Sequence, residues 1–89
     1  MPNMINFSPH ALLSMRKRGA LRYEVIDTIR TGTEIPAHLS RLGREKVFRD
    51  GYEWEGRSYL HKQIRVIYVE EGPATEVVTV IARYGEWEE

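Results

Sequence analysis

The sequence predicts an α+β domain in which two N-terminal helices pack on one face of a twisted antiparallel sheet of three to four strands. Three observations predict it. Two consecutive amphipathic stretches lie between residues 8 and 32, each with helix start or stop residues. A strand-like alternation follows at 45–54, and residues 58–84 carry two long period-two runs on either side of a tight turn. With 89 residues, the chain has room for a single domain.

Met4 to Phe7 is a short apolar lead that either adds an edge strand or packs against the first helix. Ser8-Pro9 starts that helix, because a serine oxygen accepts from first-turn N–H groups and proline at the first helical position loses a donor that had no partner. Leu12, Met15 and Gly19, with Ala11 and Met15 four apart, form its packing stripe, Arg16, Lys17 and Arg18 occupy the last turn where the helix dipole favours cations, and Gly19 ends it. A second helix spans about Leu21 to Thr31, with Val25, Ile26 and Ile29 on one face, Glu24 near its start and Gly32 as its stop. It opens on Leu21-Arg22 without a Ser or Thr cap. Thr33 to Pro36 reads as a short extended segment and Ala37 to Arg44 as an exposed loop or turn. Residues 45–54 read as the first long strand, with Gly51 permitting a turn or bulge, and residues 55–57 as a link.

The hairpin at 58–84 organises the rest. Around the turn at Glu70-Glu71-Gly72-Pro73, Leu60, Ile64, Val66 and Tyr68, with Val78, Val80, Ala82 and Tyr84, make an apolar face that should meet Leu12, Met15, Val25, Ile26 and Ile29. The opposite face carries His61, Gln63, Arg65, Ile67, Val77, Thr79, Ile81 and Arg83, a set able to bind an anion and move protons. A short acidic tail ends the chain at residues 85–89.

Hydrophobic residues at 42% and charged residues at 29% suit a soluble domain, and no apolar run approaches the ~20 residues of a membrane helix. The start lacks a secretory pattern, so a cytoplasmic location is expected, with no membrane partner. Without cysteine there are no disulfides, thiolate metal sites or thiol nucleophiles. Three scattered histidines match no metal-ligand spacing and no glycine-rich phosphate loop is present, so neither metal nor cofactor is expected. Net charge is zero, which argues against a general nucleic-acid binder. Its distribution is uneven: residues 1–67 hold twelve Lys/Arg against seven Asp/Glu, and residues 68–89 one Arg against six Glu.

The chemistry left to such a chain is that of histidine, arginine and threonine. His10, in the first turn of a helix, and His61, on the polar strand face, are candidates for proton transfer, with an ordinary pKa near 6.5 suited to it. Against this, His10 could simply fix the helix start, and His61 could be a solvated or cross-strand partner. His38 reads as a loop residue. Arg65 and Arg83 could grip a phosphate by their forked donors, or pair with Glu70, Glu76 or the tail. Thr79 could orient a phosphate oxygen, or follow strand propensity. Trp54 and Trp87 are the aromatic residues best placed to stack on bases, while Tyr68 and Tyr84 share the phase of the apolar face. Arg41, Arg44, Lys46 and Arg49 form a loose basic cluster.

The run His10-Ala11-x-x-x-Met15-x-x-Arg18-Gly19, the amphipathic helix after it and a terminal hairpin carrying Val77-x-Thr79-Val80 together resemble a known group. This is the small bacterial and archaeal domain-of-unknown-function family that opens with a His-Ala helix, grouped with the RelE-like and BrnT-like toxins, several of which cleave RNA without a metal. The resemblance implies a RelE-like fold over residues 1–89 and a metal-independent ribonuclease toxin of a toxin–antitoxin pair. Its substrate would be RNA, including ribosome-associated mRNA, its partner a cognate antitoxin, and it could form oligomers. His10, His61, Arg65, Thr79 and Arg83 would then be catalytic, and Arg18, Arg49 and Trp54 would bind substrate. The rival expectation is a non-catalytic module that docks protein or nucleic acid through an exposed sheet edge or the basic cluster.

Overall fold

A computed structural model of the chain describes residues 4–87. Strand β1 (Met4–Phe7) leads into helices α1 (Pro9–Arg18) and α2 (Arg22–Thr31). There follow β2 (Thr33–Ile35), β3 (Leu42–Phe48), β4 (Tyr52–Trp54), β5 (Arg57–Tyr59), β6 (His61–Glu71) and β7 (Ala74–Gly85). The main sheet has the order β1-β7-β6-β3-β2, and β4 with β5 makes a separate two-stranded sheet. The α+β class and the helices on one sheet face are as expected. The sheet itself differs, having five strands and a mixed pattern, because β1 runs parallel to β7 while the other neighbours are antiparallel. Ser8 explains the parallel pairing. Its N–H donates to Val77 O and its hydroxyl to Val78 O, which pins the junction of β1 and α1 to β7 and lays α1 along that strand in the same sense.

The helix ends follow local chemistry. Ser8 Oγ accepts from the Ala11 N–H at 3.0 Å with Pro9 behind it, and Gly19 closes α1 in the left-handed region at φ 76°. Glycine is needed there twice over, since a Cβ would lie 2.6 Å from the Trp54 ring and 2.7 Å from the Tyr84 hydroxyl. At the start of α2, Leu21 has no side-chain acceptor, and the Glu24 carboxylate reaches back to its N–H at 2.9 Å instead.

The core joins Ala11, Met15, Ala20 and Val25 to Phe48, Ile64, Val66, Tyr68, Val77, Val80 and Ala82. Four sequence-based assignments change. Leu12 is 41% exposed, because Ala11 and Met15, four apart, form the buried stripe of α1. Leu60 lies in the bend before β6 and is exposed. Val77, not Val78, is buried, since the register slips between Ile67 and Tyr68 and leaves Val78 as an extra residue in β7, reversing the phase beyond it. The run 45–54 is not one strand. β3 begins earlier, at Leu42, with Gly43 buried against Ile35, and stops at Phe48. Tyr52–Trp54 instead fold back on Arg57–Tyr59 through Glu55-Gly56, both at positive φ (52° and 80°), the backbone of a tight two-residue hairpin turn. The last two tail residues, 88 and 89, lie outside the described residues.

Lys62 occupies the helix-facing phase of β6 and is 3% exposed, facing a fully buried Glu24. Its Nζ lies 2.7 Å from Glu24 Oε1 and donates to Gly19 O at 2.5 Å, with the Tyr52 and Tyr84 rings 5.2 and 5.6 Å away. One cation therefore ties both helices to the middle of the sheet. Glu24 Oε2 has no hydrogen-bond partner among the described residues. Removing one member of such a buried pair leaves an uncompensated charge, so Lys62→Met should destabilise the fold by about 3 to 5 kcal/mol. Lys62→Met/Glu24→Gln, which removes both charges and keeps the acceptor for Leu21, should recover much of that loss in urea unfolding. Equal losses in the single and double variants would refute the ion-pair account.

Candidate functional site at the open edge of β7

Strand β1 covers β7 only from Ala74 to Val77, so the edge of β7 beyond Val78 has no neighbouring strand among the described residues. α1 runs beside it, with Thr79 near the start of the helix and Tyr84 at its end, where the Tyr84 hydroxyl donates to Arg18 O at 2.7 Å. His10, exposed in the first turn of α1, places Nε2 3.1 Å from Thr79 Oγ1. Its Nδ1 has no hydrogen-bond partner among the described residues. Thr79 therefore orients an imidazole whose second nitrogen remains open to a ligand.

On the sheet face turned away from the helices, Ile67 opposes Thr79, Arg65 opposes Ile81 and Gln63 opposes Arg83. Arg65 is a diagonal neighbour of both Thr79 and Arg83, a relation that places backbones about 7–8 Å apart. Arg65 is engaged already, its Nε 2.8 Å from Glu45 Oε1 on β3, a partner different from Glu70, Glu76 or the tail. Arg83 is exposed and has no carboxylate partner among the described residues. Between them, Gln63 is 8% exposed with its Oε1 unpartnered.

His61 is not brought to His10. It pairs with Gly85, six positions along β6 from the partner of Thr79, which at about 3.3 Å per residue is roughly 20 Å away. Its Nδ1 accepts from the Trp87 N–H at 2.8 Å, and its Nε2 lies 3.3 Å from Arg49 Nη1. Arg49 also donates to Trp87 O. His61 and Arg49, expected in catalysis and substrate binding, together hold the chain after β7.

Arg18 and Trp54 do converge. At the C-terminal end of α1 a groove of about 460 Å³ is bounded by Lys17, Arg18, Arg83, Trp54, Tyr59 and Tyr84, with Glu55 its one carboxylate. Trp54 stacks on Tyr84 at 5.3 Å and 10°, and Tyr59 tilts against Tyr84 at 5.5 Å. A second hollow of about 570 Å³ is bordered by Glu53 and Glu86 and suits an anion less well. Within the loose basic cluster, Arg44 and Lys46 are compensated. Arg44 meets Gly32 O and Glu34. Lys46 lies 2.6 Å from Asp27, and its hydrogen bond holds the Asp27 carboxyl below the ordinary carboxylate range. Among the described residues no group of three or more His, Asp or Glu could hold a metal ion, and no helix is long and apolar enough to cross a membrane.

Sequence reading missed Lys62, Glu24 and the β4–β5 hairpin that carries Trp54. The available signals were a lysine in the apolar phase of β6 and Glu-Gly set between two aromatic-containing triplets. Compared with protein-family models, curated proteins and solved structures, the chain matches none.

Burial, with the nearby Asp50 and Glu24 carboxylates, pushes the Tyr52 phenol well above its usual value of 10.0. Burial, then Glu24 and Glu55, raises Tyr84 as well. Both hydroxyls thus remain donors at ordinary pH. A group whose pKa is raised by folding contributes stability below its unfolded pKa and loses it as pH climbs towards the folded value. Stability should therefore fall above about pH 10. Urea midpoints measured between about pH 8 and 11 should fall less steeply for Tyr52→Phe than for the native chain.

Proposed function

We propose that this chain is a metal-independent ribonuclease with a RelE-like fold, the toxin of a toxin–antitoxin pair acting in the cytoplasm on RNA, including mRNA on the ribosome. The observation that carries the reading is the Thr79-held imidazole of His10 at an open strand edge shared with Arg83, which has no carboxylate partner among the described residues. His10 Nδ1 takes the proton of a ribose 2′-hydroxyl, the 2′-oxygen attacks the adjoining phosphorus, and the 5′-oxygen leaves, giving a 2′,3′-cyclic phosphate. Arg83, about 13 Å along β7 from Thr79, and Lys17, about 10 Å along α1 from His10, supply a positive field on the groove side of the phosphorane. Water protonates the departing 5′-oxygen, a role for which a second histidine is too distant. Arg65, already paired with Glu45, contributes field more than a free fork. A cognate antitoxin would silence the protein by covering this edge.

The open edge of β7 also supports the second reading, a module that binds a partner without turnover. Inducible expression in a bacterial host, with growth and total RNA followed, and cleavage by the purified protein separate the two. Acid–base assistance is typically worth about 10² to 10⁴, so His10→Ala should lower cleavage by about 10² or more. Arg83→Gln should lower it less, and His61→Ala, roughly 20 Å away, should stay within a few-fold of the native rate. Cleavage undiminished by His10→Ala would refute the assigned site. A soluble native protein that leaves growth and RNA intact would favour the binding module.

A further inference from the structure

The groove at the end of α1 has a feature that anion binding alone does not require. Its floor is an aromatic stack held from several sides. Trp54 lies parallel to Tyr84, and Tyr59 leans on Tyr84. The Tyr84 hydroxyl is tied to Arg18 O, and the close approach of Trp54 to α1 depends on the missing side chain of Gly19. A surface indole fixed in this way loses little freedom when a flat ring is laid on it. Around the stack stand Lys17, Arg18 and Arg83 against one carboxylate, Glu55.

We propose that this groove is a base seat for single-stranded RNA, in which one nucleobase stacks on Trp54 while Lys17, Arg18 and Arg83 contact its flanking phosphates. Stacking needs an unpaired base, and an aromatic face accepts any of the four, so the seat selects single strands over duplex with little preference for sequence. The register fixes where it lies relative to the chemistry. Arg83 is four residues along β7 from Thr79, about 13 Å at roughly 3.3 Å per residue. That is too far for the base of the nucleotide under attack and within reach of a neighbour further along the strand. The substrate is therefore an extended segment, anchored at Trp54 and cut beside His10. The position of the cut rests on the ribonuclease reading, whereas the seat itself does not.

Binding is tested apart from cleavage with a 2′-O-methylated single-stranded RNA tetranucleotide of mixed sequence, which lacks the attacking hydroxyl. The chain has two tryptophans, so a Trp87→Phe background leaves Trp54 as the only indole. Saturable quenching of its emission is expected, with no comparable change for a duplex of the same sequence. In fluorescence anisotropy with a labelled tetranucleotide, Trp54→Leu should weaken binding roughly tenfold, about 1.4 kcal/mol, and Trp54→Phe should restore most of it. Lys17→Gln and Arg18→Gln should lower the dependence of affinity on salt. Circular dichroism of each variant guards against loss of fold. Emission unmoved by the tetranucleotide, or moved only by an acidic peptide such as hexaglutamate, overturns the seat, the second result marking the groove as a protein-docking site. Quenching without cleavage of 2′-hydroxyl RNA keeps the seat and sinks the ribonuclease. Cleavage that needs His10 and ignores Trp54→Leu does the reverse.

Discussion

The ion pair between Lys62 and Glu24 is the constraint on which the rest of the molecule depends. Two charges withdrawn from water cost more than their attraction returns unless they acquire further partners, and here each has them. Lys62 also bonds the last carbonyl of the helix-closing turn and lies against two tyrosine rings, while the same Glu24 oxygen caps α2. An apolar pair of similar size would fill the space without saying where the helices belong. The lysine says it, because its ammonium is satisfied only when Gly19 and Glu24 arrive together at the start of β6. The pair thereby sets the relation of both helices to the sheet in a chain with a small core.

Groove geometry follows from the same contacts. With Lys62 holding Gly19 and Tyr84 holding Arg18, the C-terminal turn of α1 is fixed from two sides, and its basic side chains project from a rigid base. Tyr84 serves both arrangements, its ring lying near Lys62 and beneath Trp54 and its hydroxyl on the helix end. Architecture and candidate binding surface therefore share residues, and a change in the buried pair should be felt in the groove before it is felt at His10.

What was legible in the sequence was what is encoded locally. Ser8-Pro9 and Gly19 bound the first helix because capping acts within a few residues, and the 58–84 hairpin showed itself by its period. The phase error at Val77 and Val78 arose because a bulge depends on how two strands pair, which no single-strand pattern contains. Leu12 looked like core since spacing defines a face but not which face turns inward, and the neighbouring Ala11 gave the closer approach. The parallel β1 was out of reach for a similar reason, being set by a contact between Ser8 and residues some seventy positions away. Among the candidate site residues, the association of His10 with Thr79 was not readable either. The two seemed to belong to different faces until α1 was seen to lie at the strand edge.

Zero net charge does not describe the local field at any one part of the surface. Lys62, Arg65, Lys46 and Arg44 each meet a carboxylate, Glu24, Glu45, Asp27 and Glu34 respectively, so these four cations are matched within the fold. Arg83, Lys17 and Arg18 form no such pair among the described residues, and all three border the aromatic groove, beside the part of β7 that β1 does not cover. An anion meets this local field, not the total, because exposed charges more than a Debye length of about 8 to 10 Å away are largely screened. The sequence-level argument that neutrality disfavours a nucleic-acid ligand therefore holds for non-specific binding spread over a surface. It does not hold for a short strand gripped at one edge, where three cations and one indole within a single groove decide the outcome.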